Sequence, residues 1–226
     1  MGARADILSN IRRSLGVTGA EAPRRAAVEE RLERAPRGVA VARGQLDAAG
    51  RKALFIAQAQ GVQATVAVVA APADVPAEAA RYLRDANLPA TLRMGADERL
   101  KALPWRRTAL EISAGRSDGA DLSALSHAFA AVAETGTLIM VSGADNPTSL
   151  NFLPDNHIVV INAKDIGSDY EGVWSRLRLA YGKGELPRTV NMITGPSRSG
   201  DIEQTILLGA HGPRALHLIV VESDQG

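Results

Sequence analysis

At 226 residues and 46% hydrophobic, the chain is long enough for one sizeable core, and without cysteine it has no disulfides, thiolate nucleophiles or cysteine-held zinc or iron–sulfur centres. Its net charge of +1 is uneven, since residues 1–52 hold 10 Arg and one Lys against six acids and the remainder is net acidic. Those charges are interspersed, aromatics are only 4% with none before Phe55, no apolar run nears the ~20 residues of a membrane helix, and Arg4, Asp6, Arg12 and Arg13 replace the apolar core of a secretory signal; we therefore expect a cytoplasmic protein with neither a nucleic-acid surface nor a membrane span.

Ile7, Leu8, Ile11 and Leu15 recur at helical spacing with Gly16 just past them, which predicts a helix over residues 3–15. From Val17 to Gly44 the pattern dissolves, with Pro23 and Pro36 as breakers and one short helix at 26–34. Residues 1–44 thus form a helix and connector, and the domain proper spans 45–226. Within it, predicted helices at 46–60, 74–86, 96–102, 169–181 and 199–208 alternate with apolar runs at 63–70, 108–113, 137–142, 157–161, 189–194 and 215–221. Short buried runs joined by helices indicate an α/β fold with a mainly parallel sheet covered on both faces. Ser168 with Glu171 predicts a capping box for the helix at 169, and Gly182 and Gly184 its end. Ser126–Val132 and Leu138–Ser142 break the alternation and read as two strands with a tight turn, or as helix followed by strand.

Three segments carry candidate chemistry. Thr194-Gly195-Pro196-Ser197-Arg198-Ser199-Gly200-Asp201 comes after an apolar run and leads into the predicted helix at 199; free N–H groups of a first turn with the Arg198 fork suit an anion. Its acids, Asp201 and Glu203, repel one, and an ordinary capped helix start is the alternative. Glu134, beside Thr135, Gly136 and Thr137, is the candidate catalytic carboxylate, a general base or acyl-accepting nucleophile if desolvated and a plain turn residue otherwise. The loop 145–154 offers Asn146, Ser149 and Asn151, with His157 after it and His211-Gly212-Pro213 further on. The two histidines lack metal-site spacing, so no metal is expected. Phosphate-loop, G-x-G-x-x-G and G-x-S-x-G signatures are missing.

These segments together, from about Ala131 to Val221, resemble the lactate-utilization protein C family of the LUD-domain group. The resemblance implies the Rossmann-like three-layer architecture of ribose-5-phosphate isomerase, glucosamine-phosphate deaminase and CoA transferases, here with an N-terminal helical extension. It also implies a component of an L-lactate-oxidising system that yields pyruvate. Its ligand would be a small carboxylate or phosphate, and its partners two iron–sulfur proteins that hold the clusters this chain cannot, with homo-oligomers as a further association. The individual reaction stays open, and a stand-alone enzyme or a small-anion sensor are the other readings. Glu134, Asn151, Arg198 and His211 are expected to converge on one cleft at the C-terminal ends of the strands, where α/β sheets bind ligands.

Overall fold

The structure, a computed structural model, describes residues 2–202 and 205–222, without the side chains of 200–202 and 205–207. The chain divides into two compact units between Val39 and Ala40. In the first, α1 (Ala3–Leu15) ends at Gly16, whose φ of 64° is the left-handed conformation glycine adopts without steric cost. Helix α2 (Ala22–Arg34) starts earlier than predicted because Pro23 sits in its first turn, where a missing N–H removes no intrahelical bond. Neither helix buries a residue.

The second unit runs α3 (Ala48–Gly61), β1 (Thr65–Val69), α4 (Val75–Asp85), β2 (Thr91–Met94), α5 (Glu98–Lys101), β3 (Glu111–Ala114), β4 (Ser123–His127), β5 (Ala130–Val132), β6 (Thr137–Val141), β7 (Asn156–Asn162), β8 (Ile166–Gly167), α6 (Tyr170–Tyr181), β9 (Val190–Ile193), β10 (Arg198–Ile202), β11 (Thr205–Leu208) and β12 (Ala215–Val221). Six strands form a wholly parallel sheet in the order β1-β12-β7-β4-β2-β3. A second sheet, β8-β5-β6-β9, pairs β6 antiparallel to both neighbours, so the two strands expected around Gly136 do form a hairpin.

Alternation along the central strands sorts their side chains to two faces. Leu125, Ile158, Val160, Ile219 and Val221 pack against Val75, Ala79 and Leu83 of α4 and Leu100 of α5. On the opposite face Val159, Ile161, Leu216, Leu218 and Val220 pack against Phe55 and Ala59 of α3 and against Ala131, Ala133, Leu138 and Met140. The outer face of the second sheet, through Ala130, Val132 and Ile139, is covered by Val173 and Leu177 of α6. The expected parallel sheet with cover on both faces is present, and one cover contains a sheet of its own.

Three local expectations are corrected. In place of the helix expected over 199–208, β10 (Arg198–Ile202) and β11 (Thr205–Leu208) pair antiparallel, with Arg198 opposite Leu208 and Ser199 opposite Leu207. Gly200 and Thr205 are poor helix formers, and a short apolar run does not distinguish helix from strand by periodicity. Helix α6 is capped by Asp169, which accepts from the Gly172 N–H at 2.7 Å, and not by Ser168. Strand β2 was not expected, and the strand read over Ser126–Val132 divides into the end of β4 and β5. Strand β2 carries Arg93, paired to Asp121 at 2.9 Å, and β4 is built of Ser, Ala, Leu and His, so neither reads as an apolar run.

Candidate functional site

The Ala133–Gly136 turn of the β5–β6 hairpin is held by close approach. Gly136, at φ 69°, lies where a Cβ would come within 2.6 Å of the Ala59 nitrogen, so the turn presses on the C-terminal part of α3. Glu134 is accordingly buried at 6% exposure, and not an exposed turn residue. Its N–H donates to the Ser168 carbonyl at 3.3 Å, and Gly44 packs beside its Cβ. The Oε2 of Glu134 has no hydrogen-bond partner among the described residues.

From this turn a chain of hydroxyls runs to the segment at 194. Thr135 Oγ1 lies 2.7 Å from Thr137 Oγ1, and Thr137 Oγ1 lies 2.9 Å from the Tyr170 hydroxyl and 2.7 Å from Thr194 Oγ1. The next residue, Gly195, has φ 74° and sits where a Cβ would be 2.5 Å from the Val62 carbonyl oxygen. Arg198 donates through Nη2 to that same oxygen at 2.6 Å. Because Val62 caps the C-terminus of α3, the guanidinium sits at the negative end of a helix, and no helix N-terminus stands at 199 to receive an anion.

Pro196 is buried, and Ser197 exchanges backbone bonds with the opposite loop, donating to Pro213 and accepting from Gly209. Gly212 lies against Ser197 and Phe152, while the His211 side chain is exposed. Ser199 is part of β10; the side chain of Asp201 lies outside the described residues. These segments lead into β12 and β7, so they gather at the N-terminal ends of the parallel strands. The expected convergence with Asn151 at the C-terminal ends is therefore not what the topology gives.

Asn146, Ser149, Asn151 and His157 share one property with Glu134: each has a buried polar atom without a partner, namely Asn146 Oδ1, Ser149 Oγ, both amide atoms of Asn151, and His157 Nδ1. His157 is fully buried, its Nε2 hydrogen-bonded to Ser126 Oγ at 3.0 Å, and burial alone pushes its pKa down to about 3. It is neutral at any physiological pH. Register puts His157 and Ser126 on the sheet face toward the second sheet, where Asn191, opposite Met140, adds another partnerless amide nitrogen. Partnerless buried polar atoms cost roughly 1–3 kcal/mol each unless a water or ligand satisfies them.

The C-terminal edge of the parallel sheet holds residues that sequence reasoning missed. His127 ends β4, Asn162 ends β7, Val221 ends β12 and Pro72 lies just past β1; with Arg99, Leu100, Leu103, Asp165 and Arg176 they line a cavity of about 650 Å³. Single residues at the ends of different strands leave no motif in the chain. The signal that existed was the row Ser123-Ala124-Leu125-Ser126-His127, a buried strand with three polar residues. Among the described residues no group of three or more His, Asp or Glu is placed to hold a metal ion, and no helix is long and apolar enough to cross a membrane.

A parallel sheet whose cover carries a second sheet, with buried polar side chains such as His157, Ser126 and Asn191 on the facing sides, defines a layered α/β protein. Residues 42–221 match the LUD domain family, and the chain belongs to it. Among curated proteins it is 34% identical over 119 residues to a lactate utilization protein C of Halalkalibacterium halodurans, covering 52% of this chain and 51% of that protein. To the protein of the same name from a Geobacillus species it is 36% identical over 91 residues, covering 40% and 38%. The chain thus spans about half or less of the curated relatives it matches. A crystal structure of a DUF162 family protein from Deinococcus radiodurans superposes with a TM-score of 0.56 at 24% identity, covering 78% of this chain and 99% of that one, which shows the fold.

Proposed function

We propose that the protein is a component of an L-lactate utilisation system and that it binds a small carboxylate through its buried polar layer. The lactate assignment is taken from the names of its relatives. Ligand binding rests on one observation. The segments singled out by their side-chain chemistry, at Glu134, Asn146, Ser149, Asn151 and His157, are where buried polar atoms lack partners. An ionised carboxylate accepts from the Asn151 amide and from hydroxyls such as Ser149, a hydroxyl on the ligand donates to Glu134 Oε2, and His157 Nδ1 offers a donor or an acceptor according to the direction of its Nε2 bond with Ser126. The Thr135–Thr137–Thr194 hydroxyl chain, closed by Tyr170, ties the turn that carries Glu134 to the segment at 194. The chain has no cysteine, so iron–sulfur clusters of such a system are carried by partner proteins and this subunit contributes substrate binding or assembly. A second reading, a stand-alone enzyme or sensor for a small phosphorylated or acyl compound, draws on the buried Glu134 carboxylate with one oxygen free.

Titration calorimetry with L-lactate, pyruvate and inorganic phosphate tests the ligand. L-lactate or pyruvate is expected to bind, and Asn151→Ala to weaken that binding roughly tenfold by removing two buried hydrogen-bonding atoms. Loss of growth on L-lactate in a host lacking the protein, restored by wild type and not by Asn151→Ala, supports the system assignment. Binding of phosphate alone, with growth unaffected, contradicts it.

A further inference from the structure

The cavity at the C-terminal edge of the parallel sheet is separate from the buried polar layer, and nothing in the proposed lactate role uses it. Its volume, about 650 Å³, falls within the ~300–1,000 Å³ that enclose drug-sized ligands and exceeds what a three-carbon acid fills. Its wall combines Leu100, Leu103 and Val75 with Arg99, Arg176 and His127. Arg99 grips Asp97 through Nε at 3.0 Å and Nη2 at 2.6 Å, and Arg176 gives Nη2 to Asp165 at 2.7 Å while lying 5.0 Å over the Phe129 ring. Two carboxylates and one ring therefore hold the guanidinium groups in place. A guanidinium has five N–H donors, and these pairs engage Nε and Nη2 of Arg99 and Nη2 of Arg176.

His127 is the third element. It is 7% exposed, and its Nδ1 lies 2.9 Å from the Ala128 carbonyl oxygen. A carbonyl only accepts, so Nδ1 carries the proton and Nε2 keeps an accepting lone pair. Burial and the neighbouring Arg99 charge depress its pKa, so the ring is a neutral acceptor. A buried acceptor, two pre-oriented guanidinium forks and an apolar wall meet where strands β1, β4, β7 and β12 end, which is where open α/β sheets take ligands.

We infer that this cavity is a second ligand site, for an organic anion with a compact apolar ring or chain, whose carboxylate or phosphate head is held by Arg99 and Arg176 and whose O–H or N–H group donates to His127 Nε2. The probe is 1-anilinonaphthalene-8-sulfonate, added to the full chain and followed by fluorescence and calorimetry. One saturable site per chain is expected, displaced by 4-hydroxybenzoate if the head is a carboxylate or by AMP if it is a phosphate. Arg176→Lys keeps the charge opposite Asp165 but loses the fork, and should lower probe affinity about tenfold. Leu103→Trp fills the cavity from its apolar side and should abolish binding, with circular dichroism unchanged in both. Displacement by neither competitor, or an affinity unchanged in both variants, overturns the inference.

Discussion

Protonating His157 means charging a ring that is fully buried near the start of β7. Its pKa of about 3 in the fold against about 6.5 in the unfolded chain makes the unfolded state the better proton binder between those values. The stability this implies is constant above pH ~6.5 and declines as pH falls toward 3. At pH 5 the loss is about 2 kcal/mol from this residue. Burial lowers His127 and His217 too, so both steepen the same slope, although Glu78 at 3.1 Å opposes the shift at His217. His157→Leu is expected to flatten the difference in urea-unfolding free energy between pH 7 and pH 5 by about 2 kcal/mol. An equal slope in both proteins would mean that His157 is hydrated or paired in solution. Arg198 makes a different residue-scale case. Its guanidinium serves the α3 terminus through Val62, so Arg198→Ala should cost about 1 kcal/mol of stability, read by thermal denaturation.

At the scale of elements, α3 is the anchor for both glycine-bearing segments. Gly136 approaches Ala59 and Gly195 approaches Val62, each at positive φ and each with backbone where a Cβ would stand. Alanine at either site adds conformational strain to a clash that only backbone movement relieves, so Gly195→Ala should destabilise by about 2 kcal/mol or more and lower the melting temperature. A Gly195→Ala melting temperature equal to wild type would show that the segment slides freely on α3. The same segments show how much is legible in the chain. Their hydroxyls, amides and glycines mark them as places where backbone and polar groups meet, and Thr135, Thr137 and Thr194 do join. Beyond Ser197 the pattern misleads, because residues 199–208 balance helical and strand signals and the hairpin is decided by the pairing of its two halves, a non-local fact. The edge cavity is illegible for a related reason. His127 and Arg99 are separated by 28 positions and brought together only by adjacent strands β2 and β4. Polar residues also break the apolar runs that announce strands, which is why β4 is not legible as a strand of the parallel sheet separate from β5.

For the whole molecule, the division at Val39 separates a core from a pair of helices that bury nothing of their own. The core holds its apolar residues in three clusters that draw only on residues after Val39. Deleting residues 1–39 should therefore leave the melting temperature of the remainder within about 4 °C of the full chain, the shift that roughly 1 kcal/mol produces at this size. The consequence of the deletion belongs elsewhere. Helix α1 has 13 residues, at the length where an isolated helix is marginal in water, and exposes Ile7 at 59%, Ile11 at 49% and Leu15 at 63% along one stripe. Covering that stripe would supply what the helix lacks, and Arg4, Arg12 and Arg13 around it would favour an acidic partner surface. Truncation, and Ile11→Asp in the full chain, should each weaken self-association or association with the proposed iron–sulfur partners in sedimentation experiments. The difference between wild type and Ile11→Asp should persist at high salt, because apolar burial is not screened, whereas the overall affinity should fall as the arginine contribution is screened out. If sedimentation of the full chain, the truncation and the Ile11→Asp variant coincides at both salt concentrations, the stripe has no partner and α1 is a solvated helix held by its capping alone.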